Sequence, residues 1–114
     1  MAELRAKSLA MTGLFIDLID ETCKAHDLAL MTPREPALRG SQVSIAFADG
    51  YPVIQALIAR GIVGDFRAHD TMRFGFSPSY MSFADVYRAA AAFNEVIDTG
   101  SWRDPRFAKR NAVT

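Results

Sequence analysis

Thr71-Met72-Arg73-Phe74-Gly75-Phe76-Ser77-Pro78-Ser79-Tyr80 alternates apolar and polar residues until Pro78 breaks the pattern. Successive side chains of a strand point to opposite faces, so this spacing sends Met72, Phe74 and Phe76 to one face and Arg73 and Gly75 to the other. Arg73 thereby stands on a rigid element, where a guanidinium can grip a carboxylate through two parallel charge-assisted hydrogen bonds. An arginine on the polar face of a half-buried strand is also an ordinary way for a sheet to meet water, and spacing alone does not separate the two readings.

Upstream of this stretch, Ala68-His69-Asp70 is short enough for a hairpin connection, so a strand predicted over Ile62–Arg67 should pair antiparallel with the Arg73 strand. Gly64 inside it reads as a bulge. Gly61 stops a preceding helix that follows the turn Asp49-Gly50-Tyr51-Pro52 and buries Val53, Ile54, Leu57 and Ile58. Before that, Gln42–Phe47 alternates with Val43, Ile45 and Phe47 inward, and Leu28–Met31 has the length of a short buried strand. The prolines of Thr32-Pro33-Arg34-Glu35-Pro36 make the stretch between them a loop. Ala2–Ala25 reads as one amphipathic helix, with Leu4, Met11, Phe15, Leu18, Ile19 and Thr22 near helical spacing. A long helix starting almost at residue one fits a native N-terminus and equally a domain within a longer polypeptide.

Downstream, Ser82-Phe83-Ala84-Asp85 resembles a capping box with Asp in place of the usual Glu. It opens a helix in which Phe83, Val86, Tyr87, Ala90, Phe93, Val96 and Ile97 recur at helical spacing, and Gly100 closes it. The tail carries Trp102 and Phe107 among Arg103, Arg106, Lys109 and Arg110, able to pack through its aromatic rings or to stay loose at its end. The order helix, strand, strand, helix, strand, strand, helix implies an α+β two-layer domain over residues 1–114, a mixed or antiparallel sheet with helices on one face. A single helical layer leaves the other sheet face uncovered, and Gln42, Ser44, Arg73 and Gly75 would lie on it, a mixture suited to water or to a partner domain.

At 114 residues the chain fits one domain with one core, and its 50% hydrophobic and 23% charged residues are an ordinary globular balance. The 13 basic and 13 acidic side chains cancel, leaving no electrostatic footprint for nucleic acid or an anionic membrane. Charges interrupt every apolar run before it reaches bilayer length, and no secretory signal is visible, which points to a soluble, cytoplasmic protein. Cys23 is the single cysteine, which excludes an intrachain disulfide framework and fits a reducing compartment.

Cys23 and His26, three apart, can share a helix face as sulfur and nitrogen ligands, but two ligands do not make a zinc site and His69 is the only other histidine. A thiol nucleophile at Cys23 lacks a local orienting group, so a buried, inert cysteine is the simpler expectation. Gly61-Ile62-Val63-Gly64 has neither the spacing nor the following helix of a phosphate-binding loop. Asp17, Asp20 and Glu21 read as a solvated helix face, partly neighbours of Lys24. Arg39 precedes a glycine at a strand entrance, where turn chemistry and a surface ion pair suffice, and Arg67 lies beside Asp65 and Asp70, where local pairing is simplest. Only Arg73 sits mid-strand.

Four stretches carry a resemblance when taken in order: Leu4-Arg5-Ala6-Lys7-Ser8-Leu9; Leu38-Arg39-Gly40-Ser41-Gln42-Val43-Ser44; Ala56-Leu57-Ile58-Ala59-Arg60-Gly61-Ile62-Val63-Gly64-Asp65-Phe66-Arg67; and Met72-Arg73-Phe74-Gly75-Phe76-Ser77-Pro78-Ser79-Tyr80. The series resembles the C-terminal part of bacterial kynureninases. The resemblance implies the small domain of a fold-type-I, pyridoxal 5'-phosphate-dependent hydrolase that cleaves L-kynurenine to anthranilate and L-alanine, usually as a homodimer with sites at the subunit interface. It implies that Arg73 holds the substrate α-carboxylate. The cofactor-bearing lysine and the phosphate ligands of that family belong to a large domain that nothing in this chain matches; Lys7, Lys24 and Lys109 stand in no such motif, so the chain alone is expected to be inactive. Two other readings stay open: a free-standing binding module, and the small domain of another fold-type-I enzyme such as a desulfurase or transaminase.

Overall fold

Alternation at Thr71–Gly75 becomes pleat at the centre of the molecule. In the computed structural model, which describes residues 2–32, 42–67, 70–79 and 81–108, this strand, β4 (Thr71–Gly75), lies between β2 (Gln42–Ala46) and β3 (Asp65–Arg67), with β1 (Ala29–Leu30) outside β2. The sheet, in the order β1-β2-β4-β3, is antiparallel at every pairing. Its register sets Val43 opposite Phe74 and Ile45 opposite Met72, and all four side chains are buried. The expected α+β domain is therefore observed in its antiparallel form.

Three helices, α1 (Ala2–Ala25), α2 (Gly50–Ala59) and α3 (Phe83–Thr99), bring their apolar residues onto that face. Phe15 of α1 packs on Phe74 at 5.3 Å between ring centroids, and Phe93 of α3 meets Phe74 edge to face at 5.8 Å. Asn94 of α3 donates its side-chain amide to the Leu18 carbonyl of α1 at 3.0 Å, tying the two helices together above the rings. At the start of α2, a Cβ on Gly50 would lie 2.9 Å from Met72 Cγ, so the absence of a side chain lets the helix approach the sheet.

The helix ends follow the local chemistry. Gly61 has φ 82, and the N–H groups of Gly61 and Ile62 donate back to the carbonyls of Ile58 and Leu57, the paired bonds of a Schellman closure. Ser82 and Asp85 form the expected capping box, the Ser82 hydroxyl accepting from the Asp85 N–H and the Asp85 carboxylate accepting from the Ser82 N–H. That second bond holds the Asp85 carboxyl below its ordinary value, with Arg88 adding to the effect. Ser82→Ala removes the acceptor and is expected to lower stability by about 1 kcal/mol, read from urea unfolding; an unchanged midpoint would show that the cap is dispensable.

Several expectations are corrected. The strand predicted over Ile62–Arg67 covers only Asp65–Arg67, because the Ile62 N–H is committed to the α2 cap. Gly64 is no bulge: a Cβ there would lie 3.1 Å from both Ile54 Cδ1 and Phe74 Cε1 and 3.2 Å from the Arg73 carbonyl oxygen. Leu28–Met31 shortens to two residues, and Phe47 leaves the strand to pack edge to face on Trp102. Leu4, Ile58, Phe83 and Tyr87, counted into buried helix faces, are exposed. The tail packs through Trp102 and Phe107, in a 3-10 turn at Ser101–Arg103 and a short α4 (Pro105–Ala108). The proline loop at 33–36, Arg39, His69, Tyr80 and Lys109 lie outside the described residues.

Candidate functional site

Polar side chains collect on the sheet face opposite the core. Across three neighbouring strands the register aligns Ser44, Arg73 and Asp65, with Arg73 in the middle. All three lie on the face opposite the core, since their strand neighbours Val43, Ile45, Met72 and Phe74 point inward. The Arg73 side chain is 26% exposed, whereas Asp65 on the edge strand is 51% exposed.

Arg73 and Asp65 meet in a bidentate pair: Nε donates to Oδ1 and Nη2 to Oδ2, each at 2.9 Å. Both hydrogen bonds are charge-assisted and use the geometric match between guanidinium and carboxylate. They hold the Asp65 carboxyl below its ordinary value against the opposing effect of burial, with the charges of Arg73 and Arg67 contributing less. The same bonds raise the Arg73 guanidinium above its already high value. The pair thus stays ionised through neutral pH and loosens only as the pH falls through the lowered carboxylate value.

Sequence reasoning located Arg73 and missed its partner. Arg67 was expected to pair locally, beside Asp65 and Asp70, and its Nε does lie 3.9 Å from Asp65 Oδ1, but Arg73 takes both carboxylate oxygens. The signal was present in the hairpin. If residues 68–70 connect Arg67 to Thr71, counting back two places sets Asp65 opposite Arg73, which is the register observed.

The other candidates do not converge. Cys23 is buried in the core, whereas His26 Nε2 lies 2.9 Å from Asp98 Oδ1 at the surface. Among the described residues no three His, Cys, Asp or Glu side chains cluster to hold a metal ion. Lys24 pairs with Asp20 at 3.0 Å, and Lys7 Nζ donates to the Pro78 carbonyl at 3.0 Å. An open groove of about 600 Å³ runs past Gln42, Val63, Gly75, Phe76 and Met81, at the end of the strand that carries Arg73. Among the described residues no helix is long and apolar enough to cross a membrane.

Comparison with known proteins places the chain in a family. Residues 4–93 match the family model of the kynureninase C-terminal domain. The whole chain is 51% identical to a kynureninase from Pseudomonas fluorescens and 47% identical to one from Burkholderia mallei (strain SAVP1), spanning in each case 27% of the relative's length. Among solved structures, a NifS-like protein superimposes with a TM-score of 0.70 over 86% of this chain and 29% of that one, at 14% identity, a likeness of fold. The chain spans about a quarter of the length of the curated relatives it matches and belongs to the kynureninase C-terminal domain family.

Proposed function

We propose that the chain is the small C-terminal domain of a cytoplasmic, homodimeric, pyridoxal 5'-phosphate-dependent hydrolase that converts L-kynurenine and water to anthranilate and L-alanine. Family membership over most of its length carries this reading. The described lysines do not fit a cofactor anchor: Lys24 sits in a surface ion pair and Lys7 binds a backbone carbonyl. Anchoring the cofactor, which supplies the electron sink for the chemistry, falls to a large domain of the same polypeptide.

The contribution of this chain is then positional. Arg73, rooted mid-strand and only partly exposed, offers a cation on the sheet face opposite the core, and there it binds the α-carboxylate of the amino-acid substrate. Fixing that end of the substrate orients the side chain whose bond is cleaved, which gains rate by removing the freedom of a loosely held reactant. Supporting this role are its mid-strand position and the planar, bidentate hydrogen-bonding geometry of its guanidinium.

The full-length polypeptide containing this chain, loaded with pyridoxal 5'-phosphate, is expected to release anthranilate from L-kynurenine, followed by its fluorescence. The 114-residue chain alone is expected to release none and to leave the absorbance of added cofactor unchanged. A cofactor-loaded full-length protein that leaves kynurenine intact would sink the assignment.

A further inference from the structure

A guanidinium has three usable edges and five N–H donors. Asp65 takes one edge of Arg73, through Nε and one hydrogen of Nη2, and among the described residues Nη1 has no hydrogen-bond partner. The end-on edge formed by Nη1 and the second hydrogen of Nη2 is therefore turned to no described acceptor. That edge has the same fork geometry as the one Asp65 uses, and it can accept a second carboxylate in the same plane.

We propose that Asp65 is a positioning residue for substrate binding: by gripping the Nε–Nη2 edge of Arg73 it fixes the guanidinium plane and presents the Nη1–Nη2 edge to the substrate carboxylate. The inference rests on the assignment of Arg73 to that carboxylate. Three features of the fold support it. Asp65 lies directly opposite Arg73 in the register, so the pair spans neighbouring strands and is held by the sheet. At Gly64, immediately before Asp65, an added Cβ would come within 3.1–3.2 Å of Ile54, Phe74 and the Arg73 carbonyl oxygen, so the backbone leading into Asp65 runs close against the strand that carries Arg73. The distance of 2.9 Å at both hydrogen bonds leaves the guanidinium little freedom to rotate about its last torsions. Without Asp65, the long side chain of Arg73 would have to be ordered by the substrate itself, and part of the binding energy would go into that ordering.

The test uses the cofactor-loaded full-length enzyme. Asp65→Asn retains the shape but keeps only one acceptor oxygen, and its amide sets N–H against N–H. It is expected to raise KM for L-kynurenine about tenfold, with kcat changed much less, since immobilising one long side chain is worth roughly that factor. Asp65→Glu, which restores a carboxylate, is expected to recover part of the loss. Affinity for the decarboxylated amine of kynurenine, as a competitive inhibitor, is expected to be unchanged by Asp65→Asn, and Asp65→Asn added to Arg73→Ala is expected to raise KM little further. If Asp65→Asn weakens the decarboxylated amine as much as kynurenine, or multiplies fully with Arg73→Ala, Asp65 is a structural residue and the inference fails. If Arg73→Ala raises KM while Asp65→Asn is silent, the inference alone fails. If Arg73→Ala leaves kcat/KM unchanged, the carboxylate assignment falls and this inference with it.

Discussion

Replacing Phe15 by alanine is expected to remove about 3–5 kcal/mol of stability, the range for deleting a fully buried aromatic ring and leaving a cavity behind. Phe15 is completely buried and joins three elements at once. Its ring lies 5.3 Å from Phe74 and 4.9 Å from Phe76 on the central strand and its exit, and 6.2 Å from Phe93 on α3. Collapse around the deletion would have to pull α1, the sheet and α3 together simultaneously, so little of the void can be refilled. Against a typical domain stability of about 5–15 kcal/mol this is a large fraction of the total. Urea unfolding followed by circular dichroism measures it. A loss below about 1 kcal/mol would mean that the four-ring cluster is not the centre of the core.

Arg73→Ala carries the largest expected effect on activity. In the full-length enzyme it should lower kcat/KM for L-kynurenine about a hundredfold, the scale set by losing charge-assisted hydrogen bonds to a substrate carboxylate. Arg73→Lys should recover little of this, because an ammonium keeps the charge and loses both the fork toward the substrate and the two-point attachment to Asp65. The thermal unfolding midpoint should move little in either variant, since the ion pair that is lost lies at the surface. Steady-state kinetics with kynurenine decide the matter, and wild-type kcat/KM in Arg73→Ala would remove Arg73 from the site.

Much of this molecule can be read from its sequence because local rules and the global fold agree. The period-two pattern at Met72, Arg73 and Phe74 assigns β4 and its faces, and the glycines at 61 and 100 mark the helix ends with their positive φ. Three kinds of information were not local. Periodicity identifies the apolar side of a helix but not how wide a stripe its neighbours cover, so Ile58, Phe83 and Tyr87 were placed inside and lie outside. Strand length depends on which donors are already committed, and the cap at the end of α2 takes the Ile62 N–H that a longer β3 would need. The partner of Arg73 depends on cross-strand register, which overrides the nearer arginine at position 67.

The packing around Gly64 has a consequence for the strand that carries Arg73. Any amino-acid replacement at this position adds at least a Cβ, and that atom meets Phe74, Ile54 and the Arg73 carbonyl oxygen at 3.1–3.2 Å. A replacement here is therefore felt by its neighbours: the Ile54 and Phe74 side chains and the Arg73 carbonyl must each give by a few tenths of an ångström to admit it. A residue with no side chain and no charge thus bears on how closely α2 and β4 can pack beneath the guanidinium. The hydrogen atom at position 64 is in this sense part of the packing beneath Arg73, as much as any buried side chain is.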